Sequence, residues 1–473
     1  MRNKNVQMSL FDTYGDVRSA MEENKPAFLA MLEEHINLQE LIPKEFYWAF
    51  YRWFGRPQDY SLEGFIRFFI LQKTIGISDS TLLILLRMCR ELLEYCGFDK
   101  VPDASKITRF KQDFVSYIQK VFENLVEITE PICRELDAKK ADYLIYDPTG
   151  IEAYVAENNP KFLNGKLNQA KKMAKKNPDL NPHALAYGLL PETAAANPFV
   201  KQQYINGHFC YAHKAGILTN GLGIVRDIAF FDDDFKRRHP EVISKKTDNP
   251  ELDKEIGDSV SLRPVLSDFF EKHPAFSYKT FLGDSSFDSY DNYRMLRNEF
   301  GFERMCIPLN SRGSASAHSD FDSNGTPICP VDKTPFTFLC ASGGKNRSMR
   351  FKWVCHKSER KGSTRVCSCD NPCTESAYGR CVYTYPDKNL RFYPGIPRGT
   401  VHWDNLYRHR VLVERTIYIL KEPLGVASRK SFSSRSAKAD LFLAGITQLL
   451  GVMLAKAINK PHLFKSVRKL LVA

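Results

Sequence analysis

Tyr407, Arg410, Glu414 and Lys421 are separated by three, four and seven residues. At about 100° per residue on a helix they fall within about 60° of one another. Residues 404–421 are therefore predicted to form one helix that carries these four side chains along a single stripe. Leu412, Val413, Thr416, Ile419 and Leu420 take the other side, as an amphipathic, core-facing helix requires. A surface helix laced with i,i+3 and i,i+4 ion pairs has the same pattern. A carboxylate among an aromatic ring and the cations Arg410, Arg415 and Lys421 also suits a metal-bound phosphodiester, the acid holding the ion and the cations the phosphate.

Such chemistry needs further acids, brought in by other elements. Residues 142–150, DYLIYDPTG, form a short apolar run that leaves through Asp147 into Pro148 and Gly150. That reads as a buried strand with its carboxylate at the exit, although a lone Asp there is ordinarily a turn residue. Residues 278–283 read as a second strand with Asp284 at its end, a helix opens near Ser289, and 304–310 is another short strand. Between them, 208–219 and 222–231 flank Asn220-Gly221, a hairpin signal, and a helix is predicted over 252–273. Asp232, Asp233 and Asp234 are adjacent and cannot all converge on one ion, so they read as a strand exit and solvated loop. Residues 160–197, rich in Asn, Pro, Ala and Lys, read as an exposed basic excursion, either a solvated loop or an arm that tracks phosphate. His213 and Lys214 read as structural. This order predicts an α/β fold, a mixed sheet flanked by helices with carboxylates at strand ends.

The pattern Tyr-x2-Arg-x3-Glu-x6-Lys at Tyr407, Arg410, Glu414 and Lys421 resembles the signature of bacterial insertion-sequence DDE transposases. GDSSFDSYDNYRML, YINGHF and the Asn-Gly hairpin resemble segments of the same group, so the likeness spans nearly the whole chain. It implies a ribonuclease H-like core with Asp147 on the first strand and Asp284 on the fourth. It implies that Asp147 bridges two Mg²⁺ (or Mn²⁺) ions, with Asp284 and Glu414 completing their coordination, and that Tyr407, Arg410 and Lys421 grip DNA near the scissile phosphate. Two such ions, about 3.5–4 Å apart, stabilise both the attacking and the leaving oxygen. The implied function is excision and integration of an insertion sequence, acting on inverted-repeat ends and target DNA as a homodimer. A ribonuclease H-like nuclease that cuts without joining, or a catalytically idle DNA-binding descendant, are the alternatives.

The rest of the chain sets the boundaries. Its 473 residues, 43% hydrophobic with a net charge of +12, call for two or three domains and a polyanionic partner. Residues 401–473 alone hold 13 Lys and Arg against 4 Asp and Glu. Residues 1–140 read as a helical DNA-binding domain, with helices over 61–76 and 78–98. A third begins at Asp103 or Ser105 and exposes Lys106, Arg109 and Lys111, compatible with a helix-turn-helix and equally with any helical bundle. The core is predicted over 141–310 and resumes over 401–473. Residues 311–400 form a β-rich, cysteine-rich insertion with seven of the twelve cysteines. A small unit of this kind is often held by zinc, with Cys329, Cys355, Cys369 and Cys373 as ligands and Cys367 the main substitute. Trp353 and Trp403 could stack on an unpaired base, packing being the expected role of Trp353. Residues 1–24 lack the apolar core of a secretory leader. The apolar run 441–455 contains Thr447 and Gln448 and is short for a bilayer, so it reads as a buried helix. No membrane association and a cytoplasmic, nucleoid-associated location are expected, with the thiols reduced or metal-bound.

Overall fold

The computed structural model describes residues 27–52, 57–175, 181–205, 208–242, 256–310, 320–344, 347–428 and 430–465. The chain divides into two compact units, one of Met1–Ile132 with Ile419–Ala473 and one of Cys133–Tyr418. The long C-terminal helix thus belongs with the N-terminal helices rather than with the sheet, to which the sequence reading gave it.

In the first unit, Ser61 opens the helix Leu62–Ile75 by accepting a hydrogen bond from the Gly64 N–H at 3.0 Å. Gly76, in the left-handed region at φ 73°, closes it. The helix predicted over 78–98 is broken: Asp79–Met88 and Arg90–Tyr95 are parted by Cys89, whose backbone is extended. The helices Ala104–Asp113 and Val115–Ala141 follow. Phe46, Phe50, Phe65, Phe110 and Phe114 interlock with ring centroids 4.5–6.0 Å apart. The helix Ser434–Ala457 is the only one among the described residues long and apolar enough to cross a membrane, and 89% of its apolar window is buried inside the protein. Lys111, expected to face solvent, is only 4% exposed. It shares a helix face with buried Ile107 and Phe110, so its ammonium is carried inward to Asp79 at 2.6 Å and Asp440 at 3.2 Å. Buried Lys73 reaches the same Asp440 at 3.0 Å.

The second unit is built on a seven-stranded mixed sheet. Its strands are β1 (Tyr143–Glu152), β2 (Thr193–Ala194), β3 (Asn197–Ile205), β4 (His208–Asn220), β5 (Val225–Phe230), β6 (Thr280–Leu282) and β7 (Arg304–Cys306). β1 lies between β4, antiparallel to it, and β6, parallel to it; β7 continues the parallel side and β5 pairs with β4. Leu144, Tyr146, Phe281, Phe287 and Met305 are at most 1% exposed in the core beneath. Both sides of the chain at β1 are therefore buried, which is why the run is apolar almost without alternation.

Several expectations change here. The β4–β5 connection is not a two-residue Asn-Gly turn: β4 ends at Asn220, β5 begins at Val225, and the positive φ falls on Gly223. The Asn220 side chain accepts from the Leu222 and Ile224 N–H groups and organises the longer loop. The basic excursion holds two helices, Pro160–Ala174 and Pro182–Gly188. Asn159 and Asn181 cap them, each with Pro at the first helical position, a strong local start signal. Lys176 of this stretch, and Asn206 and Gly207 of YINGHF, lie outside the described residues. Asp232 caps the helix Asp233–Arg238 through the Phe235 N–H, where a loop was expected. The helix read over 252–273 spans Asp258–Lys272, with 252–255 outside the described residues.

The insertion carries β8 (Thr337–Gly344), β9 (Arg347–Val354), β10 (Ser358–Lys361), β11 (Thr364–Cys367) and β12 (Cys381–Thr384). β12, β9 and β8 make one sheet and β10–β11 a ribbon. Trp353 anchors the small core, edge-on to Phe338 and donating from Nε1 to Thr384 Oγ1 at 2.9 Å. It is 2% exposed, so it is not open to a base.

Candidate active site

The pairing of β1 with β6 fixes two of the three acids. Ile145 is in register with Leu282. Asp147 and Asp284 each come two residues later, just beyond the last paired residues, and Arg410 lies within 3.7 Å of both. Asp147 is not at a strand end, since β1 continues to Glu152 against β4. It lies where pairing with β6 has stopped, which opens a gap beside it. Asp284 caps a 3₁₀ turn, Ser285–Phe287, and its carboxylate accepts from the Ser286 N–H at 2.8 Å and from the Ser286 hydroxyl.

The third acid arrives after the insertion. Two buried or half-buried arginines pin the returning chain to the sheet unit. Arg391 pairs with Asp288 at 2.7 Å. Arg398, 4% exposed, donates to the carbonyls of Ile307, Arg391 and Phe392 and to the Tyr293 hydroxyl. Thr400 then caps the helix Val401–Tyr407. The predicted continuous helix is interrupted by a 3₁₀ turn at Arg408–Arg410 before Val411–Lys421. Arg410 still reaches Glu414 one turn on, as an i,i+4 pair. Thr416 donates to the Gly223 carbonyl at 2.9 Å, and Leu412 covers Gly223, seating the helix on the β4–β5 loop with Glu414 outward.

The result is a guanidinium ringed by carboxylates. Arg410 lies 3.5 Å from Asp147, 3.7 Å from Asp284, and is hydrogen-bonded to Glu414. Burial pushes the Asp147 carboxyl up to about 7; Arg410 pulls it down, and Asp284, Glu414 and Asp258 push it further up. Arg410 was expected on phosphate; here its partners are the three acids. Tyr407 is half-buried and stacks on Trp403 at 6.3 Å. Trp403 is 6% exposed, with the Arg398 guanidinium over its ring at 5.1 Å, so it too is closed to a base. Lys421 belongs to the helical unit. Among the described residues, no three His, Cys, Asp or Glu side chains are gathered, as they stand, into a group that could hold a metal ion. At the triad the reason is plain, because Arg410 holds the central position. The donor set itself, three carboxylates from separate segments around a positive charge, is what a hard divalent cation prefers.

In the insertion, the thiols of Cys355 and Cys367 are 3.8 Å apart, and Cys329 and Cys373 pack in the core around Trp353. Cys369 is turned away, 3.3 Å from the Asn371 carbonyl and 3.9 Å from Lys357. Sequence reasoning missed Arg391 and Arg398; their only signal was two arginines in a Gly/Pro-rich stretch just before the helix.

Residues 17–113 match a family described as Transposase domain (DUF772). No curated protein matches the chain. Among solved structures, a piggyBac transposase synaptic complex with hairpin DNA, determined by cryo-electron microscopy, is similar at 12% identity. The match covers 88% of this chain and 76% of that one, with a TM-score of 0.26, a score that fixes neither fold nor chemistry. The family match, over the helical N-terminal region, points to a transposase.

Proposed function

We propose that this protein is a DNA transposase whose cutting and joining chemistry resides in Asp147, Asp284 and Glu414. The observation that carries the proposal is the convergence of these three acids, from three distant segments, on one guanidinium. Three carboxylates repel one another unless a positive charge is shared among them, and a site that keeps them together is poised for divalent cations. The strand order β5-β4-β1-β6-β7, with the acids on β1, after β6 and on a late helix, is the ribonuclease H-like order and supports the same reading. Asp147, Asp284 and Glu414 would hold Mg²⁺ or Mn²⁺, which supplies Lewis-acid stabilisation of the attacking and leaving oxygens when bound. Arg410 keeps the acids convergent and offers N–H donors to a phosphate entering the same space. The excess of cations in residues 401–473 suits double-stranded DNA as partner.

The test is a strand-transfer assay with Mg²⁺ on DNA carrying the ends of the element. Joined products are expected from the wild type, and none from Asp284→Asn. Cutting without joining would make the protein a nuclease, and binding without either would make it an idle descendant.

A further inference from the structure

The insertion contains a second, chemically distinct set of donors. Cys355 and Cys367 face each other across the β9–β10–β11 turn, sulfurs 3.8 Å apart. Zinc–thiolate bonds of about 2.3 Å in a tetrahedron separate ligand sulfurs by roughly the same distance, about 3.8 Å. The second pair, Cys329 and Cys373, belongs to the small core around Trp353, and the turn after Cys329 is tied to the turn after Cys355 by Asp332, which pairs with His356 and Lys357 at 3.3 Å.

Tight turns and a close backbone approach surround these sulfurs. The chain turns tightly after Cys329, with the Lys333 N–H on the Cys329 carbonyl and Lys333 in the left-handed region at φ 58°. It turns again after Cys355, where the Ser358 N–H and hydroxyl both donate to the Cys355 carbonyl. Gly379, at φ 86°, lets the backbone pass so close that a Cβ there would meet the Cys367 sulfur at 3.3 Å and the Cys355 Cβ at 3.4 Å. His356, the other soft donor nearby, is engaged by Asp332 at 3.3 Å. Cys340 is exposed on β8, and Cys369 faces Asn371.

We infer that Cys329, Cys355, Cys367 and Cys373 form a structural zinc site, with Cys367 in the place the sequence reading gave to Cys369. One pair of thiols is already at the ligand spacing, and the turns carrying Cys329 and Cys373 would close on it to complete a four-sulfur shell. The site crosslinks three separate segments of a lobe whose core is one tryptophan and a few rings, where a metal contributes directly to folding. It is independent of the acid triad, which uses oxygen donors.

The test is metal analysis of the full chain purified under reducing conditions without chelator, beside Cys367→Ser and Cys369→Ser. About one zinc per chain is expected in the wild type and in Cys369→Ser, with loss in Cys367→Ser. Cobalt substituted into the wild type should give the intense charge-transfer absorption of four thiolate ligands, a readout that stands even if Cys367→Ser does not fold. A metal-free wild type, a Cys355–Cys367 disulfide, or loss of zinc in Cys369→Ser with retention in Cys367→Ser would each overturn the assignment.

Discussion

The protein holds two clusters made of the same ingredients, carboxylates gathered around cations, and they have opposite characters. In the helical unit, Asp440 lies between Lys73 and Lys111, with side-chain exposures of 3%, 1% and 5%, and Asp79 completes the set. In the sheet unit one cation, Arg410, serves three acids, of which Glu414 is about half exposed. Burial pulls Lys73 down from its ordinary range against the pull of Asp440; at Lys111 Asp440 and Asp79 overcome burial and hold it up. The first cluster matches two lysines with two aspartates. Its Asp440, Lys73 and Lys111 side chains are almost closed to solvent at the floor of a cleft also lined by Asp79, Thr108 and Ser436, where they hold helices in place. The second has an excess of negative charge and an open side, so it can exchange its cation for another.

The sharpest way to break this comparison is to remove an acid of the open cluster. Asp147→Ala, Asp284→Ala and Glu414→Ala should each lower Mg²⁺-dependent cleavage by roughly a thousandfold or more, as loss of several kcal/mol of metal-borne stabilisation requires. Double variants should be little worse than single ones, since the ligands act as a unit. Substantial cleavage by Glu414→Ala, or additive losses, would show that the cluster is only structural.

The same deletion in the closed cluster should act on folding. Asp440→Ala takes the carboxylate from buried Lys73 and leaves Lys111 with Asp79, and should cost about 3–5 kcal/mol in urea denaturation. A loss below about 1 kcal/mol would mean that solvent reaches the lysines and that the cluster is not closed.

A third measurement concerns pH. The Asp147 carboxyl sits at about 7 in the folded protein and near 4 when unfolded. The folded state therefore keeps its proton longer, and this group's favourable contribution, complete below about pH 4, is lost as pH rises to about 7. Without divalent ions, the stability of the wild type should fall across that window relative to Asp147→Asn. Added Mg²⁺ should restore it at the upper end in the wild type alone. Parallel curves for the two proteins would remove Asp147 from the open cluster's electrostatics.

The smallest effect is expected from Lys73→Met. Asp440 keeps Lys111, and methionine occupies a similar volume, so stability should change by less than about 1.5 kcal/mol in either direction. A larger loss would make the two lysines cooperative rather than redundant.

The open cluster was legible in the sequence and the closed one was not, for a physical reason. Asp147, Asp284 and Glu414 each carry a local mark, an apolar run before an acid or a spaced pattern on a helix. Asp440 and Lys73 are separated by 367 positions, and each looks like a lone charge at the edge of an apolar segment. Lys111 was misread because a cation in an early helical turn resembles a phosphate contact until its neighbours Ile107 and Phe110 are known to face inward. Periodicity likewise could not show the 3₁₀ turn at Arg408–Arg410. The register of Ile145 with Leu282, just beyond which the two aspartates come, is a property of pairing and leaves no trace in either segment alone.

The placement of Glu414 also has a consequence in time. More than half of the chain lies between Asp147 and Glu414, and the whole cysteine-rich lobe is made after Asp284 and before the last acid. At ordinary translation speeds the nascent chain carries two aspartates without their partner for on the order of ten seconds. A polypeptide abandoned in that interval has the sheet and two carboxylates but neither Arg410 nor Glu414. On the proposed function, the chain would be synthesised in a form that cannot cut DNA, and would become competent only once Arg398 has docked the returning segment and the helix Val411–Lys421 has closed over Gly223.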